Sequence, residues 1–210
     1  MASNPEELHE HFKTRMREDA EKLVLDVFPQ RVVTFDEVLK SSFFMEGFPE
    51  DVQSSTVTAD ASPIPSNKHI LEMVDTLKPM VSRLLQETSQ VRIWITLLIP
   101  KIEDGNNFGV SIQEDSLLEI KVVEAQAAEF IEHTPEYFKN RAKALSKIVK
   151  YPQIEDYRKL VKQLDENEYH YLRHVLTELR NHYAILHDII TKNLDKIKAP
   201  RSSALNLMSL

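Results

Sequence analysis

His170 and His174 stand one helical turn apart, a spacing at which two imidazoles can share a metal ion. Zinc hydrolases built on such a pair place a glutamate between the histidines as general base. Here Tyr171, Leu172 and Arg173 intervene, so the pair reads as solvated. A di-iron bundle needs Glu-x-x-His on two core helices, and the one match, Glu6 to His9, sits in a polar N-terminal stretch. Asp104-Gly105-Asn106 has the composition of a calcium loop without its alternating acidic ligands or closing glutamate. There is no cysteine, no GxSxG elbow and no phosphate-binding glycine pattern. The acid pairs Glu155/Asp156 and Asp165/Glu166 fit solvated helix faces. These residues give no route to covalent chemistry, and the expectation is a protein that is not an enzyme, with no catalytic residue, no metal and no cofactor.

What remains is the segment Pro100-Lys101-Ile102-Glu103-Asp104-Gly105-Asn106-Asn107-Phe108-Gly109-Val110. Its residues tolerate positive φ or bond their own backbone. Ser111-Ile112-Gln113-Glu114 then has the form of a capping box, expected to open the following helix. The plain reading is a helix–helix turn. Such a turn needs only about two to eight residues, and it needs no aromatic. A loop from Lys101 to Val110 with paired asparagines and Phe108 is more than connectivity requires, which makes it the candidate working part.

The elements around it are read as helices. Only three glycines occur in 210 residues, Gly47, Gly105 and Gly109. Helix interiors exclude glycine at a cost of about 1 kcal/mol against alanine, whereas hairpins would need more positive-φ positions than this chain supplies. The first helix is expected over about 5–27, with Leu8, Phe12, Met16, Leu23 and Val27 as its stripe and Pro29 closing it. A short piece over 35–40 follows, with Thr34 as cap. Residues 47–67 lack any period and contain several breakers, the pattern of a mobile connector. The second helix, about 68–99, contains Pro79 and stops at Pro100. The third, about 111–150, carries Leu117, Ile120, Val123, Ala127, Ile131, Phe138, Leu145 and Ile148, with Pro135 inside it. The fourth, about 154–198, holds the longest regular pattern, from Tyr157, Leu160 and Val161 to Ile190, Leu194 and Ile197, and stops at Pro200.

Four such helices describe an all-α, up-down-up-down four-helix bundle, read as one domain over 1–210. In that topology the second and fourth helices run the same way. The loop 101–110 and the tail 201–210 therefore belong at one end. The net charge of −7 argues against a nucleic-acid binder. The acidic N-terminus has no signal-peptide pattern, no run approaches the about 20 apolar residues that span a bilayer, and cysteine is absent. A soluble intracellular protein without a membrane partner is expected.

The run Leu97-Leu98-Ile99-Pro100-Lys101-Ile102-Glu103-Asp104-Gly105-Asn106-Asn107-Phe108-Gly109-Val110 resembles the activation loop of the REG-type proteasome activators, nearest their gamma type. The resemblance extends through Ser111-Ile112-Gln113-Glu114, Arg141-Ala142-Lys143, Lys150-Tyr151-Pro152, Glu155-Asp156-Tyr157-Arg158, Glu178-Leu179-Arg180-Asn181 and Ile197-Lys198-Ala199-Pro200-Arg201-Ser202-Ser203. It implies a heptameric ring, expected to be homomeric, that caps the proteasome core particle without ATP. By this resemblance the loop residues Lys101, Ile102, Glu103, Asp104, Gly105, Asn106, Asn107, Phe108 and Gly109 open the gate. The tail residues Leu207, Met208, Ser209 and Leu210 dock on the core particle's α-ring. A gamma-like identity favours the nucleus, although no basic import cluster is visible, so nuclear or cytoplasmic residence is expected. Three positions differ from the family pattern: the tail lacks a terminal tyrosine, the connector lacks a basic cluster, and Lys101 stands where arginine is common. The competing readings are a helical scaffold or adaptor that binds partners along its fourth helix, and a metal-dependent bundle enzyme.

Overall fold

The computed structural model describes residues 4–44, 48, 64–105 and 107–201. Among them all regular structure is helical: α1 (Pro5–Lys22), a π turn (Leu23–Val27), α2 (Phe28–Leu39), a 3₁₀ turn (Ser42–Phe44), α3 (Lys68–Leu98), α4 (Phe108–Lys150), α5 (Asp156–Lys192) and α6 (Leu194–Lys198). None is long and apolar enough to cross a membrane. The described chain divides into two compact units, and the boundary falls within α2, α3, α4 and α5. One unit comprises residues 1–33, 84–125 and 181–210, the other 34–83 and 126–180.

In the first unit, Asn4 caps α1 through its side chain to the Glu6 amide at 3.2 Å, and Pro5 occupies the first turn, where its missing N–H costs nothing. Pro29 does not close the first helix. A proline ring collides with the carbonyl four residues back in α geometry; here the turn Leu23–Val27 widens to π geometry, with the Phe28 amide reaching Leu23 O, and the chain continues as α2. The widening leaves the Val24 carbonyl facing a proline instead of an N–H. His187 Nδ1 lies 2.8 Å from that oxygen and, since a carbonyl only accepts, carries the proton. Thr34 consequently lies inside α2 and is not at a helix N-terminus. Val24, Phe28, Val91, Trp94, Ile120 and Tyr183 form the buried interior, with Phe28 and Tyr183 edge to face at 5.0 Å. Glu87 is bonded there by Arg31 and the Tyr183 hydroxyl. Leu8 and Phe12, expected on the buried stripe, are exposed. The apolar face of α1 begins to be covered only from Met16 onward.

In the second unit, Asn67 caps α3 by accepting from the Ile70 amide. Its amide nitrogen donates to Asp165 at 3.0 Å. Asp165 was expected on a solvated face and is instead buried, because Tyr137, Arg141 and Asn67 together supply its hydrogen bonds. Its partner in sequence, Glu166, is half-buried, and Glu155 and Asp156 are exposed as expected. Phe44, Ile70, Leu77, Phe130, Ile148, Val161, Tyr169 and Leu172 make this core. Phe130 and Tyr137 take the places expected of Ile131 and Phe138: Ile131 is exposed and Phe138 half-buried. Leu160 is exposed too. Over this stretch the buried face of the third helix is shifted by one residue from the expected stripe. Of the expected connector, residues 47 and 49–63 lie outside those described; Phe48 packs edge-on against Tyr169 at 5.6 Å.

The end of the fourth helix also departs from expectation. α5 stops at Lys192, Asn193 leaves helical geometry, and α6 resumes for five residues. Lys198 Nζ then reaches Glu21 on α1 at 2.7 Å.

Candidate functional site: the loop and the C-terminal segment

All of this site lies within the first unit. α3 ends at Leu98, as Pro100 dictates, and the described residues between it and α4, 99–105 and 107, are non-helical. α4 begins at Phe108, three residues earlier than the expected capping box. The Ser111 amide donates to Asn107 O as a regular helical bond, and the Ser111 hydroxyl bonds back to Phe108 O at 2.7 Å. Lying inside α4, Ser111 is not at a cap position, and its hydroxyl back-bonds within the helix. Phe108, Gly109 and Val110 therefore belong to the first turn of α4 and not to the loop.

Within the loop Gly105 has φ of +129°, a region that suits glycine and strains other residues. Ile102 is 96% exposed and Phe108 68% exposed. Two large apolar side chains standing in solvent make this segment the candidate contact surface. Lys101, Glu103, Asp104 and Asn107 are exposed beside them. Asn106 lies outside the described residues.

The C-terminal segment meets this loop directly. Arg201 Nη1 donates to the Lys101 carbonyl at 2.9 Å and to Glu103 Oε2 at 3.1 Å, and its Nη2 donates to Asn107 Oδ1 at 3.2 Å. One turn into α4, the buried Gln113 donates through Nε2 to Leu98 O at 3.2 Å and to Ile197 O at 2.8 Å. It ties off the carbonyl ends of α3 and α6, which would otherwise be orphaned. Gly109 is buried against Pro200: a Cβ at 109 would sit 2.0 Å from Pro200 O and 2.5 Å from its Cα. Only glycine fits. A groove of about 450 Å³ opens between Ile99, Pro100, Ile102, Glu103, Val110 and Arg201.

The expected juxtaposition of loop and C-terminal segment is thus present through Arg201, while Leu207, Met208, Ser209 and Leu210 lie outside the described residues. Three participants escaped residue-level reasoning. Pro200 figured only as the stop of the fourth helix, Arg201 only as the start of the tail, and Gln113 only as part of a capping box. The rarity of glycine was the one local signal that pointed to Gly109. Among the described residues no group of three His, Cys, Asp or Glu side chains could hold a metal, and His170 and His174 are exposed.

Among the described residues, the arrangement is an exposed loop held by hydrogen bonds to the C-terminal segment, a geometry that can present a surface to a partner. Residues 6–54 match the family described as "Proteasome activator PA28, N-terminal", and residues 63–206 match "Proteasome activator PA28, C-terminal". The chain belongs to the PA28 proteasome activator family. It is 49% identical over 138 residues, 66% of its length, to "Proteasome activator complex subunit 3" of Homo sapiens, and the match spans 54% of that relative. The same figures hold for the Gallus gallus protein. The chain thus matches about half the length of these curated relatives. Among solved structures, the 11S subunit PA28 of the Plasmodium falciparum proteasome superimposes with a TM-score of 0.82 at 26% identity, covering 94% of each chain. A chain from the archaeal 20S proteasome–PA26 complex aligns at 0.70 and 15% identity over 93% of this chain and 97% of that one, a likeness of fold.

Proposed function

We propose that this chain is one subunit of an ATP-independent activator of the proteasome core particle, with residues 1–210 acting as a single unit. Seven identical copies form a ring on the core particle's α-ring. Their tails dock through Leu207, Met208, Ser209 and Leu210. The loop from Lys101 to Asn107, with Phe108 and Gly109 of the first turn of α4, then presses on the gate and holds it open. The observation that supports this reading most is the single end at which Arg201 joins the loop to the root of the tail. An anchor and an actuator must lie together to meet one surface, and here Arg201, at the root of the anchor, is hydrogen-bonded to the actuator.

The mechanism is differential binding. A loop moves a gate only by contacting its open state more favourably than its closed one, and exposed Ile102 and Phe108 offer apolar area for that contact. Seven tails reinforce each other, because each docking after the first is intramolecular. No bond is made or broken by this chain, and its place is the nucleus or the cytoplasm with the proteasome.

Purified protein is expected to give the mass of seven chains in light scattering. It should stimulate cleavage of short fluorogenic peptides by core proteasome without ATP. Asn106→Tyr is expected to preserve the ring and its docking yet abolish stimulation; normal stimulation by that variant would remove the loop from the mechanism.

A further inference from the structure

We propose that Arg201 is the positioning residue of the loop, a latch that sets the loop's shape from the root of the tail. Lys101 and Glu103 lie on the limb leaving α3, and Asn107 on the limb entering α4. The Arg201 guanidinium holds both limbs, with contacts of 2.9, 3.1 and 3.2 Å. A planar fork of donors can serve three acceptors in fixed directions, which an ammonium cannot do. The latch is itself seated. Pro200, the residue before it, covers Gly109 so closely that a methyl group would not fit, and Gln113 holds Ile197 O four residues upstream. The backbone that presents Arg201 is therefore fixed to the first turn of α4. The loop takes its geometry from the segment that continues into the tail.

The contacts are exposed, with Glu103 side chain 61% and Arg201 25% accessible. Pairs of this kind add little to folding stability. Shape, not stability, is what Arg201 supplies, and this separates a latch from a merely structural residue.

The inference rests on the activator reading above, and its test has one arm that does not. In the stimulation assay with full-length protein, Arg201→Ala is expected to lower maximal stimulation about tenfold. The concentration giving half-maximal stimulation should stay within about twofold, and Arg201→Lys should fall between. In hydrogen exchange on the free protein, amides of residues 102–107 should exchange about tenfold faster in Arg201→Ala, with the rest unchanged. Unaltered maximal stimulation together with unaltered exchange overturns the proposal. So does a loss confined to the half-maximal concentration, which would make Arg201 a tail residue only. If the parent protein does not stimulate at all, the activator reading falls, and the exchange comparison alone decides the latch. If Arg201→Ala fails to fold, Arg201→Gln gives the same two readouts.

Discussion

Each unit contains an arginine that gathers acceptors from distant parts of the chain, and the two arginines do opposite work. Arg141 lies in the second unit, its side chain 8% accessible, bonded to Asp165 (1% accessible) at 2.8 Å, with the Pro65 carbonyl as a further acceptor. Asp165 also accepts from the Tyr137 hydroxyl at 2.8 Å and from Asn67. Burial, with the Asp165 charge beside it, pushes the Tyr137 hydroxyl far above its ordinary pKa, so it remains a donor. Arg201 lies in the first unit and bonds a comparable number of acceptors in water. The chemistry is the same; the dielectric differs. A buried cluster punishes the loss of any member, because the survivors stay desolvated and unpaired. An exposed cluster loses almost nothing in stability, since water replaces each partner, yet it still decides which loop shape predominates.

The sharpest way to break this comparison is Asp165→Ala. It strands Arg141, Tyr137 and Asn67 without their acceptor, and a loss of about 3–5 kcal/mol is expected, read by calorimetry or denaturant unfolding. A loss below about 1 kcal/mol would mean that water reaches the cluster and that burial is not what separates it from Arg201. Next comes Gly109→Ala, which drives a Cβ into the Pro200 backbone. Neither neighbour is a flexible side chain that could swing away, so about 1–3 kcal/mol of overpacking is expected, with faster exchange of loop amides.

A smaller effect sharpens the second unit alone. Glu168 is buried, and desolvation raises its carboxyl pKa despite the His133 ring nitrogen 2.9 Å away. Asp165 nearby adds to the rise, and Tyr171 packs against the His133 ring. Because the folded-state pKa lies above the unfolded one, the folded protein takes up this proton first as pH falls. Its stability is therefore gained below the raised pKa and lost as pH climbs through it. Glu168→Gln should melt higher than the parent near about pH 8, with the advantage shrinking toward about pH 5. An advantage independent of pH would rule out this carboxyl as the source. The smallest effect is that of Arg201→Ala on stability, expected within about 1 kcal/mol of the parent. A larger loss would place Arg201 with Arg141 and erase the contrast.

Much of the scaffold was legible because helical period and proline position are local signals. Pro100 stops α3 as expected, the long pattern ending at Ile197 is helical apart from the break at Asn193, and the alternation of helix directions brought loop and C-terminal segment together. What stayed hidden depended on partners far along the chain. Pro29 reads as a terminator until His187, 163 residues beyond Val24, bonds the Val24 carbonyl that the π turn exposes. Asp165 reads as a surface acid until Tyr137, Arg141 and Asn67 converge on it, 28, 24 and 98 residues away. Ser111 and Glu114 satisfy a capping pattern that the earlier start at Phe108 makes unnecessary. At the site, residue types announced an unusual loop, but nothing in the spacing said that an arginine near the end of the helices would hold it.

The Arg201 contacts also carry a consequence for the order in which the molecule is made. They join residues 94 to 100 positions apart, and a chain synthesised from its N-terminus exposes the loop long before its latch. Helices α3 and α4 can pair as soon as both have emerged, since their contacts close over a short loop. The loop between them cannot take its final shape until residue 201 arrives. A nascent or truncated subunit would thus carry an unlatched loop, and the assembled shape becomes available only to chains translated past that point.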